Sequence, residues 1–104
     1  MYACTDLGNA ERFRDMFGDT LRRNGRQWYE KTGDTWRKIN SPIGKGIQVV
    51  KAIEAEYRRG QYNADRMFAL KNWLNKSGMH DRIRKMVFLA GQLEPIATDA
   101  NLEV

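Results

Sequence analysis

Apolar residues recur along this chain with two different periods, and the change of period divides it into a helix, a hairpin and a helical remainder. Leu7, Ala10, Phe13 and Phe17 stand three and four residues apart, the spacing of one helix face. Thr5 or Asp6 offers an N-cap oxygen to the exposed N–H groups of that helix. Gly18 suits the left-handed position that closes one. Strand-friendly residues then flank a turn in Trp28-Tyr29-Glu30-Lys31-Thr32-Gly33-Asp34-Thr35-Trp36. Glycine reaches positive φ without steric cost, so the loop is Thr32-Gly33 or Gly33-Asp34 and the segment about 26–40 is a β-hairpin. The first loop sets Tyr29 opposite Trp36; the second sets Tyr29 opposite Lys38 and Trp36 opposite Lys31. In both registers Tyr29, Lys31, Trp36 and Lys38 share one face, and Trp28, Glu30, Arg37 and Ile39 share the other. The side-chain period is two, so a one-residue move of the loop preserves the faces.

Helical spacing returns after the hairpin, over about 41–92. Asn40-Ser41-Pro42 reads as a helix start, with serine as cap and proline in the first turn. Ile43, Ile47, Val50, Ile53 or Glu54, and Tyr57 form the expected stripe. Gly44 and Gly46 loosen the first turn. Arg58-Arg59-Gly60 ends this helix, with cations at the negative end of its dipole. Asn63 caps the next, whose stripe is Met67, Leu70, Trp73 and Leu74. Ser77-Gly78 breaks the path. A last helix carries Met79, Ile83, Met86, Val87 and Ala90 and stops at Gly91, and Pro95 begins an irregular tail. Between the first helix and the hairpin lies a basic connector in which Leu21 is placed to start a further short strand. The expected fold is α+β and mainly helical: an N-terminal helix, one β-hairpin, then a bundle of about three helices, all in a single domain over 1–104.

Composition narrows the class. The 104 residues suit one domain, and 41% hydrophobic with 30% charged is ordinary for a soluble globular chain. No apolar run approaches the roughly 18–20 residues that span a bilayer, and the N-terminus has no basic and apolar signal-peptide pattern. One cysteine makes no internal disulfide, so the cytoplasm is the expected compartment. The net charge of +5 and pI near 9.6 favour anionic partners, nucleic acid first among them.

No catalytic or metal constellation is visible. His80 is the only histidine, and neither it nor Cys4 stands at ligand spacing. Ser41-Pro42-Ile43-Gly44-Lys45-Gly46 fails as a phosphate loop, because a glycine follows the lysine and the upstream spacing is wrong. Glu54 is four residues before Arg58, as in a helical ion pair. No nucleophile stands beside a base. The expectation is therefore no enzyme activity in this chain, no catalytic or metal residues, no cofactor and no small-molecule substrate.

Basic residues do cluster: Arg22, Arg23 and Arg26 before the hairpin; Lys31, Arg37 and Lys38 on it; Arg58 and Arg59 at a helix end; Arg82, Arg84 and Lys85 on the last helix. Cations interleaved with Tyr29 and Trp36 suit single-strand binding, where rings stack on bases and cations track phosphates. Trp28 and Trp73 read as core. Trp36 stands evenly between core and stacking. Exposed aromatics with arginines also characterise protein–protein hot spots, so a docking module that binds no nucleic acid is the alternative.

The blocks Thr5-Asp6-Leu7-Gly8-Asn9-Ala10-Glu11-Arg12-Phe13, Gly18-Asp19 and Leu21-Arg22, the Trp28–Trp36 hairpin, then Trp73, Lys76-Ser77, Met86 to Ala90 and Pro95 follow one another in a familiar order. That order resembles the poxvirus-type primase-helicase N-terminal domain of phage, plasmid and prophage primases, which precedes a superfamily-three helicase ATPase. The resemblance runs from about Thr5 to about Ile96, and its specific part is the first block joined to the Trp-rich hairpin. It implies an accessory domain linking primase and helicase modules and helping to bind or position DNA. Its implied partners are DNA and the parent helicase domain or ring subunits, and the rings and cations of the hairpin make single-stranded DNA the expected form without excluding duplex. Asp6, Gly8, Asn9, Ala10, Arg12, Phe13, Trp28, Gly33 and Trp36 hold family positions. Arg12 is polar on a helix whose other face is buried, so it is expected to be free to touch DNA or a neighbouring subunit. The family's ATP-hydrolysing and primer-making residues lie outside the segment. The helicase ATPase does not follow here, so the chain is expected to be either an excised domain or a small stand-alone relative. The polar end Asn101-Leu102-Glu103-Val104 suits either.

Overall fold

The computed structural model describes residues 2–102. Its order is α1 (Asp6–Phe17), β1 (Leu21–Asn24), β2 (Gln27–Thr32), β3 (Thr35–Ile39), α2 (Ile43–Arg59), α3 (Ala64–Ser77) and α4 (His80–Ala90). The strands form one antiparallel sheet in the order β1-β2-β3. Helix, hairpin and helical bundle are thus as expected, with Leu21 opening the additional strand. The polar chain end falls, at 103 and 104, outside the described residues.

Both sheet turns are two-residue loops that open on glycine. Gly25 and Gly33 each have φ of +62°, a conformation that costs other residues steric energy. The β2–β3 register is the Gly33-Asp34 one: Tyr29 faces Lys38, and Lys31 faces Trp36. On β1, Arg22 faces Tyr29 and Arg23 faces Trp28. Alternation therefore sends Leu21, Arg23, Trp28, Glu30, Arg37 and Ile39 inward and Arg22, Asn24, Gln27, Tyr29, Lys31, Trp36 and Lys38 outward. Leu21 and Trp28 join the core with Ala10, Phe13, Ile53, Leu70, Trp73, Met86 and Ala90, and Ile39 packs against it. After α4 the chain returns to the free edge of β1. Arg23 N–H donates to Ile96 C=O at 2.8 Å, and Thr98 N–H donates to Arg23 C=O at 3.0 Å. The tail is thus a built part of the fold, with Ile96 fully buried.

The helix caps follow the sequence in part. Thr5 Oγ1 accepts from Gly8 N–H at 2.9 Å, and Asn63 Oδ1 accepts from Arg66 N–H at 2.9 Å. Gly60 closes α2 with φ of +64°. Gly18, expected to be left-handed, stays right-handed at φ −63° because α1 runs on through a tight turn into β1. Ser41 does not cap α2. Pro42 occupies the cap position, and no side chain bonds there. Met79 caps α4 instead of entering its stripe and is exposed.

Two stripes are rotated from their expected faces. On α2 the buried residues are Gly46, Val49, Ile53 and Glu56, whereas Ile47 is exposed. Gly46 sets this contact, since a Cβ there would lie 2.8 Å from Ile83 Cγ2 on α4. On α1 the buried face is Gly8, Asn9, Ala10, Arg12 and Phe13, which leaves Leu7 52% exposed. Gly8 lets the N-terminal segment cross, because a Cβ there would meet Ala3 C=O at 2.0 Å. Asn9 is fully buried yet satisfied. Its amide donates to Ser77 Oγ at 3.1 Å, and its carbonyl accepts from Trp73 Nε1 at 2.8 Å. No helix among the described residues is long and apolar enough to cross a membrane.

Candidate nucleic-acid interface

Arg12 is not free. It is 6% exposed, and its Nη1 lies 2.7 Å from Glu56 Oε2. Arg66 Nη2 approaches the other oxygen of Glu56 at 3.5 Å, and the Tyr2 ring covers the Arg12 guanidinium at 4.7 Å. Burial pushes the Glu56 carboxyl up, but Arg12's hydrogen bond and charge, Tyr62 and Arg66 outweigh it and hold the group below its ordinary range. This reverses the expectation for Arg12, and the reason is its partner: a buried carboxylate one helix away draws the guanidinium inward. Nearby, the Tyr2 hydroxyl donates to the Asp15 carboxylate, which raises the Tyr2 pKa and lowers that of Asp15.

The outer sheet face is less open than its sequence pattern suggests. Tyr29, in the central strand between Arg22 and Lys38, is only 6% exposed and presents no ring to a base. Arg22 donates from Nη1 to the carbonyls of Gly18 and Leu21, and its guanidinium lies 5.0 Å over the half-buried Trp36 ring. Asn24 donates to Ala100 C=O at 2.8 Å, which ties the tail to this face. Lys31 and Lys38 are exposed. Arg37 is inward-facing at the exposed hairpin end and shares Glu30 with Lys45, at 3.8 Å and 3.3 Å respectively.

Arg23 and Arg26 belong to a different place. Together with Arg84 they line a groove of about 570 Å³ between the β1–β2 turn, the start of α2 and α4. The rest of the lining is Gln27, Trp28, Ile39, Asn40, Ser41, Ile43, Val87 and Phe88, with no carboxylate among them. Alternation on β1 aims Arg23 at this rim, and its guanidinium lies 5.7 Å from the Trp28 ring and 5.6 Å from the Phe88 ring. Gly91 makes room for it: a Cβ there would stand 2.7 Å from Arg23 Cδ. Arg23 Nε is buried and has no hydrogen-bond partner among the described residues. Arg84 and Phe88 are four residues apart on α4, so they share one helix edge, and Phe88 is 53% exposed. A neighbouring trough shares Arg23 and Phe88 with this groove and carries Glu94 and Asp99, so the cationic strip ends there.

The structure thus gathers Arg23 and Arg26 at one site and leaves Arg22, Lys31, Trp36 and Lys38 on the other side of the sheet. Arg84 stood out in the sequence only as one of several cations, and Phe88 did not stand out at all. Their i,i+4 spacing was the available clue. Arg82 is committed elsewhere, bonded to Asp6 at 2.8 Å and lying 5.7 Å from the Trp73 ring. Among the described residues no cluster of histidine, cysteine or carboxylates is arranged to hold a metal ion. No family model, no curated protein and no solved structure matches this chain.

Proposed function

We propose that this domain binds nucleic acid without catalysing a reaction on it, as the accessory domain ahead of a phage or plasmid primase-helicase ATPase, acting in the cytoplasm. The reading of its parent rests on the motif order from Thr5 to Ile96. The reading of its activity rests on one observation: three arginines converge on a groove that contains no carboxylate. Such a groove concentrates anionic polymers, and phosphate contacts supply sequence-independent affinity.

A salt titration tests this. Binding of a labelled oligothymidylate should weaken linearly on a log–log plot, with a slope of about −2 if three phosphates are contacted, at roughly −0.7 per contact on single strands. The double variant Arg26→Ala/Arg84→Ala should flatten that slope by about one and a half. A folded domain that binds no nucleic acid at low salt, or binds with no salt dependence, would favour a module that docks on a helicase ring instead.

A further inference from the structure

We infer that the groove is a single-strand site, in which Phe88 stacks on one unpaired base while Arg23, Arg26 and Arg84 hold the phosphates around it. This rests on the nucleic-acid reading above and adds to it the form of nucleic acid and the stacking ring.

Four features point the same way. Phe88 is a large apolar ring left 53% exposed on a helix whose buried positions, Ile83, Met86, Val87 and Ala90, are already filled. Its ring already has Arg23 at 5.6 Å, so a base laid on it would also meet a cation. Arg84 lies one turn away on the same edge, and Arg26 stands across the groove on the β1–β2 turn. The groove volume, about 570 Å³, is on the scale of small-ligand sites, roughly 300–1,000 Å³, so it has room for a nucleotide unit. In a duplex the base faces are already stacked on one another, so the exposed ring finds no free π-face. The sequence-tolerant contact that remains is stacking on an unpaired base. A polyglutamate chain would use the same arginines but has no ring to stack on Phe88.

The test compares oligothymidylate, a blunt hairpin duplex and polyglutamate, each labelled, against the wild-type chain and the variants Phe88→Ala, Phe88→Trp and Arg84→Ala. Circular dichroism confirms that each variant is folded, which the exposure of Phe88 favours. Phe88→Ala should weaken oligothymidylate binding about tenfold, the scale of one lost base stack, and leave duplex binding unchanged. Phe88→Trp should restore the single-strand affinity. Arg84→Ala should weaken both forms and reduce the salt slope. Equal binding of both DNA forms with no effect of Phe88→Ala would overturn the stacking site while leaving the nucleic-acid reading intact. Polyglutamate bound as tightly as oligothymidylate would overturn it in favour of an acidic protein partner. No binding of either DNA at low salt would defeat both readings together.

Discussion

Replacing Glu56 by glutamine should destabilise the domain by about 3–5 kcal/mol, the usual cost of removing one partner from a buried ionic group. The substitution keeps shape and removes charge. It leaves the Arg12 and Arg66 guanidinium groups, now 2.7 Å and 3.5 Å from carboxylate oxygens, with uncompensated charge on largely buried side chains. The damage should spread to the N-terminal segment, because Arg66 also donates to Tyr2 C=O at 2.9 Å and to Cys4 Sγ at 3.3 Å. Urea unfolding measures the loss. Glu54→Gln is the control: its ion pair with Arg58, at 2.8 Å, is solvent-exposed, and such i,i+4 pairs contribute about 0.3–0.5 kcal/mol. The pH dependence has a definite sign. Glu56 is held below its ordinary range in the folded state, whereas a glutamate in the unfolded chain titrates near about 4.3. The pair's stabilisation is therefore fully present above that pH and is lost as pH falls through the lower folded value. The stability gap between wild type and Glu56→Gln should stay constant at neutral pH and close in acid.

Phe13→Ala should cost about 3–5 kcal/mol as well, by a different route. Phe13 is fully buried where α1 meets the sheet, with the Phe17 ring at 5.2 Å and the Trp28 ring at 6.4 Å, both edge-on. Removing it opens a cavity between the two layers and unseats Trp28, so the loss should appear in tryptophan emission as well as in urea unfolding. Leu7→Ala, on the same stripe by sequence, should change stability by no more than about 0.5 kcal/mol, because Leu7 is half exposed. Equal losses for the two would contradict the α1 packing.

The contrast between Phe13 and Leu7 shows what was legible in the sequence. Local rules carried far: a turn at Gly33, the two sheet faces, a cap at Thr5 or Asp6 and another at Asn63, the breaks at Gly60 and Gly91, and the Leu21 strand each follow from a few adjacent residues, while the structure chose the Gly33-Asp34 loop and the Thr5 cap. Hydropathy misled wherever a buried position was filled by a residue that does not look buried. Gly46 turns α2 toward α4 through its missing side chain. Glu56 and Arg12 are each polar in isolation and are buried only as a pair. Asn9 faces the core because Trp73 and Ser77 wait there, more than sixty residues away in sequence. The candidate site was half legible for a similar reason. The cations of β1 stood out, but alternation splits Arg22 from Arg23, and only the return of α4 to β1 brings Arg84 and Phe88 beside the latter.

Backbone-amide NMR shift mapping, with oligothymidylate added at low salt, tests the central claim most directly. The account predicts the largest shifts at Gly25, Arg26, Asn40, Arg84 and Phe88, around the groove. Shifts confined to Lys31, Gly33, Trp36 and Lys38, with the groove silent, would return the interface to the outer face of the hairpin and contradict the account.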